Sequence, residues 1–224
     1  MTLHTYPDIQ QGEPEWYDVR RGILTASVMG QLVTPTLKIA NNVTTRAITA
    51  ELVAERITGF TDASFASDDM LRGHEVEPLA IDAYTKHTGN PVTTLGFMVN
   101  DDHGFNLGCS PDGLVDDDGM VECKSRRPKK QLQTILADEV PLENMAQVQC
   151  ALLVSGREWL DFVSFSGGMP LFVKHVEPDG QWFRAIVAAA TEFEMAAAQM
   201  IATYRERVVG LPVMERIVEL EMVL

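Results

Sequence analysis

Ser110-Pro111-Asp112-Gly113-Leu114-Val115 and Met120-Val121-Glu122-Cys123-Lys124 flank Asp116-Asp117-Asp118-Gly119, a run of turn-forming residues. The pattern predicts a hairpin with short arms over 113–115 and 120–124. Side chains alternate along a strand, so Glu122 and Lys124 share one face and Cys123 takes the other. Asp112, at the start of the opposite arm, then sits beside them. Two carboxylates and a lysine are delivered to one place.

That trio suits metal-assisted hydrolysis of a phosphodiester. Mg²⁺ and Mn²⁺ prefer hard oxygen ligands, and Mg²⁺ is commonly held by one or two carboxylates while water and substrate phosphate complete the octahedron. Asp112 and Glu122 meet that requirement, and the backbone carbonyl of Cys123 can add a ligand. Lys124 would face the attacking water and the phosphate, as an electrostatic stabiliser or, with a lowered pKa, as a base. The bland alternative is a surface hairpin whose Glu122 and Lys124 form an ion pair of little worth. These residues alone do not separate the two.

Towards the N-terminus, Glu13-Pro14-Glu15-Trp16 starts a short helix that Gly22 breaks, and Thr25-Ala26-Ser27 opens a second, with Thr25 or Ser27 as N-cap. A helix N-terminus offers free N–H groups and partial positive charge to a phosphate, and Arg20 beside it would add a bidentate fork. An ordinary capped helix with a surface arginine is the competing account. Helical spacing runs over 43–58, stopped by Gly59, and over 70–88, ending at Gly89-Asn90-Pro91. Glu75 and Glu77 lie on different faces of the second of these helices, and position alone does not choose between them.

Segments 93–100 and 105–109 read as strands that join the hairpin in a small, mostly antiparallel sheet. Residues 141–155 read as a helix carrying Gln147 and Gln149, and 159–166 with 170–177 as a strand pair. From Asp179 the chain is helical, with an Ala- and Met-rich stretch over 186–209. Val218, Leu220, Met222, Val223 and Leu224 in the last segment suit docking on the same chain or a subunit contact.

Asp112, Glu122 and Lys124 resemble the Pro-Asp…Glu-X-Lys signature of the PD-(D/E)XK, restriction-endonuclease-like nucleases. Four blocks in order resemble the phage lambda exonuclease branch, or YqaJ-like viral recombinase type, over roughly residues 15 to 190. They are Trp16-Tyr17-Asp18-Val19-Arg20-Arg21-Gly22-Ile23-Leu24-Thr25-Ala26-Ser27, Arg72-Gly73-His74-Glu75-Val76-Glu77-Pro78-Leu79-Ala80, Cys109 to Leu114 with Glu122-Cys123-Lys124, and Met145-Ala146-Gln147-Val148-Gln149.

The resemblance implies an α/β fold, a restriction-endonuclease-like core with a central mixed β-sheet flanked by α-helices. Length and hydrophobic content point to one domain over 1–224, with a helical part from about 179, although the length alone would permit two, and the resemblance makes it an exonuclease domain. The resemblance also implies a Mg²⁺-dependent 5′-to-3′ exonuclease that degrades one strand of linear double-stranded DNA to 5′-mononucleotides. The 3′ overhang left behind would serve recombination by strand annealing. By the same resemblance Glu77 is the helix-borne acid that faces the metal. Asp112, Glu122, Glu77 and the Cys123 carbonyl would hold two Mg²⁺, with Mn²⁺ able to substitute. Gln147 would orient the water beside Lys124, and Arg20, Thr25 and Ser27 would hold the 5′-phosphate. A homotrimeric ring around the DNA, a single-strand annealing protein as partner and a phage or prophage gene belong to the same implication.

Composition bounds these expectations. A 224-residue chain with 46% hydrophobic residues can bury a substantial core. The N-terminal residues lack signal-peptide regions and no apolar run looks long enough for a bilayer, which points to the cytoplasm, a bacterial one by the resemblance. Cys109, Cys123 and Cys150 are an odd number without metal-ligand spacing, so neither a disulfide framework nor a zinc site is indicated. With 32 Asp and Glu against 18 Lys and Arg, the net charge is −14, which argues against global attraction to a polyanion. DNA contact must be local, and Arg20, Arg21, Lys124, Arg126, Arg127, Lys129 and Lys130 cluster where a substrate would lie. A closed ring would hold DNA without high charge. Two other classes stay open, another nuclease of the superfamily (an endonuclease or a single-strand-specific enzyme) and a non-catalytic acidic interaction protein.

Overall fold

The computed structural model describes residues 2–62 and 68–216. The side chains of 68–71, 74 and 75, Glu75 among them, lie outside the described part, as do Val218, Leu220, Met222, Val223 and Leu224. The element order is β1 (Leu3–Tyr6), α1 (Pro14–Arg20), β2 (Leu24–Thr25), a 3-10 helix (Ala26–Gln31), α2 (Val43–Thr58), α3 (Asp68–Thr88), β3 (Val92–Thr93), β4 (Phe97–Asn100), β5 (Leu107–Cys109), β6 (Gly113–Val115), β7 (Gly119–Ser125), α4 (Pro128–Ala137), α5 (Leu142–Ser155), β8 (Trp159–Phe165), β9 (Phe172–Val176) and α6 (Gly180–Arg207).

The expected hairpin is β6–β7, antiparallel, with Leu114 opposite Met120. It forms part of a five-stranded mixed sheet ordered β3-β6-β7-β8-β9, in which only β7 and β8 run parallel. Strands β4 and β5 do not join it. They belong to a second, four-stranded mixed sheet ordered β1-β4-β5-β2, so the single antiparallel sheet expected from 93–109 and the hairpin divides in two. The division falls at Gly96, where an added Cβ would lie 2.0 Å from the carbonyl oxygen of Ile9. The bare glycine lets the loop after β1 cross there, which separates β3 from β4.

Helix α5 joins the two sheets, packing against β4 and β5 on one side and β8 on the other. Ala146, Val148, Cys150, Ala151, Leu152 and Val154 are all buried, as a helix surrounded by protein requires. Helix α6 covers α5 and α2 through Trp182, Ile186, Ala189, Ala190, Phe193 and Ala197. By length and composition α6 is apolar enough to cross a bilayer, which corrects the expectation that no segment is. Alanine and methionine raise its average even though Glu192 and Glu194 interrupt any continuous apolar run.

Two further differences concern the N-terminal half of the site and the basic run. The segment opened by Thr25 is a short 3-10 helix rather than an α-helix, it stops at Gln31 with Leu32 as its C-cap, and Thr25 makes no side-chain capping bond. Residues 128–137, the latter part of the basic run and beyond, form α4, with Pro128 in its first turn. It docks through buried Gln131, whose amide donates to the carbonyls of Ser164 (3.0 Å) and Pro170 (2.9 Å).

Candidate active site

Strand β7 behaves as its pattern predicts. Val121 and Cys123 face a small cluster with Tyr84 and Val163, whereas Glu122 and Lys124 project together on the other side, Nζ to Oε1 2.6 Å. Glu122 is 3% exposed, so this ion pair is screened little, unlike the surface pair of the bland alternative. Asp112, on the connection between β5 and β6, accepts the N–H of Cys123 at its Oδ2, 2.7 Å. The hydrogen bond ties the first carboxylate to the strand that carries the second.

The charges are concentrated. Burial, then the nearby Glu122 and Glu77, push the Asp112 carboxyl well above the ordinary carboxylate range, although Lys124 and the Cys123 N–H oppose the shift. Burial alone would lower the Lys124 ammonium, but Glu122 and Asp112 outweigh it and hold its pKa above the usual lysine value. Glu77 reaches this group from α3, which packs on β7. Among the described residues no three His, Cys, Asp or Glu side chains form a ready-made cage. The donor set instead fits an oxygen-preferring divalent cation that keeps water and substrate ligands, because added positive charge would relieve the excess at Asp112. Asp112, Glu122, Glu77 and the Cys123 carbonyl would supply the protein's share.

The structure separates the two glutamines of α5. Gln147 donates from Nε2 to Glu122 Oε1 at 2.6 Å. Gln149 faces away, donating to the Glu177 carbonyl (2.9 Å) and accepting the Asp179 N–H (2.9 Å) at the start of α6. One amide touches the acidic group, and its neighbour two positions on anchors the next helix.

A cavity of about 550 Å³ opens on this group and continues to Arg20, Thr25 and Ser27. Arg20 Nη1 donates to Ser110 Oγ (2.9 Å), Trp16 Nε1 donates to the same oxygen (2.9 Å), and the guanidinium lies 3.9 Å from the Trp16 ring centroid. Burial lowers the Arg20 pKa to about 10, with Cys109, Tyr17 and Glu55 opposing, so the side chain stays cationic at neutral pH. Thr25 Oγ1 and Ser27 Oγ lie 3.0 Å apart. Because the segment they open is a short 3-10 helix, the positive pole expected there is small, and the guanidinium and hydroxyls dominate this end.

Sequence reasoning assigned no role to Trp16 or Ser110, though both stand in the quoted blocks. Their signal was position next to Arg20 and Asp112, but their meeting across the fold was not visible in spacing. The basic run fares differently. Lys124 lines the cavity, whereas Arg126 and Lys130 pair with Glu143 (3.2 and 2.7 Å). The cations closest to the hairpin in sequence are thus partly consumed by the protein itself.

A comparison with curated proteins gives no match. Among solved structures, an alkaline exonuclease from Laribacter hongkongensis, LHK-Exo, matches at 28% identity and TM-score 0.78, covering 89% of this chain and 100% of that one. LHK-Exo in complex with dAMP matches at 29% identity and TM-score 0.79, with the same coverage. A phage-related exonuclease from Haemophilus somnus 129PT, at 14% identity and TM-score 0.55, covers 81% of this chain and 96% of that one, and shares the fold. The model of the YqaJ-like viral recombinase domain matches residues 15–158, which hold Asp112, Glu122, Lys124, Gln147, Glu77 and the Arg20 end of the cavity, and the chain belongs to that family.

Proposed function

We propose that this chain, a DNA exonuclease of the YqaJ-like family, degrades linear double-stranded DNA from a 5′ end with Mg²⁺, releases 5′-mononucleotides and leaves a 3′ overhang. The observation that carries the reading is one cavity lined both by Asp112, Glu122, Lys124 and Gln147 and by Arg20, Thr25 and Ser27. A nuclease centre and an anion pocket in one cavity suit an enzyme that measures its cut from a terminal phosphate. The likeness to LHK-Exo, which has been solved with a mononucleotide, supports the same product class.

Mg²⁺ held by Asp112, Glu122, Glu77 and the Cys123 carbonyl would polarise the scissile phosphate and supply hydroxide near neutral pH. Gln147 restrains Glu122 by donating to Oε1, which fixes the carboxylate's orientation towards its ligand. Lys124, paired to the same oxygen, carries positive charge to the phosphate and so acts electrostatically rather than as a base. Asp112 is oriented by the Cys123 N–H. At the other end, the Arg20 guanidinium, backed by the Trp16 face and steadied on Ser110, grips the 5′-phosphate with the Thr25 and Ser27 hydroxyls. An acidic chain of net charge −14 gains little from general attraction to DNA, and assembly as a homotrimeric ring would retain the substrate by enclosure. The overhang would suit a single-strand annealing partner.

The decisive experiment incubates the protein and an Asp112→Ala variant with Mg²⁺ and three substrates, linear duplex with 5′-phosphate, linear duplex with 5′-hydroxyl, and closed circles. Preferred loss of the phosphorylated duplex, with mononucleotide products absent in the variant and after chelation, is expected. Cutting of circles would replace the exonuclease with an endonuclease, and loss from the 3′ end would reverse the polarity. Light scattering at the mass of one chain would remove the ring.

A further inference from the structure

The turn between α1 and β2 carries Arg20 on one side and Thr25 on the other, and its hub is Gly22, buried at φ +67°. Both polar backbone groups of Gly22 are bound by consecutive side chains of α2. Its N–H donates to Glu55 Oε2 at 2.7 Å, and its carbonyl accepts from Arg56 Nε at 2.7 Å. The approach depends on the bare Cα, since an added Cβ would lie 2.5 Å from Arg56 Cγ. The other two guanidinium nitrogens of Arg56 form a bidentate pair with Glu194 of α6, both at 2.7 Å, and the same group lies 5.2 Å from the Phe193 ring centroid.

A left-handed glycine turn on the surface would satisfy these backbone groups with water. Here an acceptor, a donor and a second-helix brace are spent on a single residue, two positions after the arginine that faces the anion end of the cavity. Glu55 also lines that cavity and is one of the negative neighbours that favour the charged form of Arg20.

We propose that Glu55 and Arg56, braced by Glu194, are positioning residues that set the cavity's selectivity for a 5′-phosphorylated end, by fixing the Gly22 turn and so the spacing of Arg20 from the Thr25 and Ser27 hydroxyls. The inference rests on the reading that these three groups receive the terminal phosphate. It makes α6, remote in sequence from the other site residues, part of end recognition. A displacement of about 1 Å at a bidentate anion site is enough to forfeit much of its discrimination.

The test is equilibrium binding, by fluorescence anisotropy in EDTA, of two blunt duplexes that differ only in a 5′-phosphate or 5′-hydroxyl. Wild-type protein is expected to favour the phosphate about ten-fold, the worth of one good charge-assisted contact. Glu55→Ala and Arg56→Ala should cut that ratio below about three-fold while changing hydroxyl-ended binding less than about two-fold, a split that general destabilisation would not produce. Glu55→Gln keeps an acceptor for the Gly22 N–H and should restore most of the ratio. Glu194→Gln, at the outer end, should lower it less than Arg56→Ala. Should the alanine variants lose their circular dichroism, Glu55→Gln and Glu194→Gln at the same temperature decide the matter. An unchanged ratio in folded Glu55→Ala and Arg56→Ala, or in Glu194→Gln where those do not fold, overturns the proposal, as does a wild type that binds both ends alike. Degradation of linear duplex in Mg²⁺ is scored separately, so hydrolysis with an unaltered ratio removes only the positioning role. A phosphate preference without hydrolysis removes only the exonuclease.

Discussion

The two ends of the cavity are built in opposite ways. At the acidic end Glu122 and Lys124 come from β7 and Asp112 from the position just before β6, joined by the Asp112 bond to the Cys123 N–H. At the basic end Arg20 and Trp16 meet Ser110 across 90 and 94 residues of chain, and the Gly22 turn between Arg20 and Thr25 is held by α2, whose Arg56 is braced on α6. A hairpin fixes its own geometry, so its chemistry can be written in one short motif. A pocket assembled across the fold inherits its geometry from packing, and is correspondingly easier to detune without being destroyed.

Substitutions sharpen that contrast. The largest effect is expected for Asp112→Ala, which should lower the rate of mononucleotide release at least about a thousand-fold, equivalent to roughly 4 kcal/mol, with the circular dichroism retained. A residual rate within ten-fold of wild type would show that the hairpin is not the acidic centre. Arg20→Ala should abolish the preference for phosphorylated ends, about ten-fold or more, while leaving slow turnover of hydroxyl-ended duplex. Arg20→Lys should recover less than half of it, because an ammonium offers no fork and stacks poorly on Trp16. Single-turnover rates on the paired substrates measure both variants. Gln147→Ala should slow hydrolysis about ten-fold without altering end preference, the signature of a group that orients Glu122 rather than binds the end. Loss of end preference there would break the division of the cavity into two functions.

The smallest effect is electrostatic and lies outside the cavity. The Glu143 carboxyl is held below the ordinary glutamate range, chiefly by the Lys130 hydrogen bond, with burial opposing and Arg126 adding. A depressed carboxylate gives stability that is full above the unfolded value, near 4.3, and is lost as pH falls through the lower folded value. Glu143→Gln should therefore lower the melting temperature slightly at pH 7, by less than about 1 kcal/mol of stability, and by less still near pH 3. An equal difference at both values would mean that the ion pairs contribute nothing.

What could be read in the sequence follows the same line between local and assembled. Helix α2 announces itself through the helical spacing over 43–58 and through Gly59, left-handed at its end; the Asn42 cap on the Thr45 N–H is added by the structure. The hairpin, α5 and the β8–β9 pair are equally local, and the four blocks of resemblance gave the family and the mixed α/β core. The partition into two sheets was hidden because it depends on the loop from β1 passing over Gly96, a contact between distant segments. Helix α4 was hidden by its charges, since Arg126 to Lys130 stand out as a basic cluster for a substrate while the anchoring residue is a buried glutamine. Gln147 and Gln149 look alike on paper, and only the placement of α5 between two sheets gives them different work.

The parallel pairing of β7 with β8 has a consequence for how the molecule can be cut. The family match stops at residue 158, one position before β8 begins at Trp159. A protein truncated there would keep every residue assigned to the chemistry, yet Glu122 and Lys124 would stand on an edge strand, because their neighbours Phe162 and Ser164 would be gone. The face of α5 that α6 covers would meet water as well. The stretch that the family model matches and the sheet that seats Glu122 and Lys124 therefore end at different points of the chain, and an expression boundary chosen from the first would cut through the second.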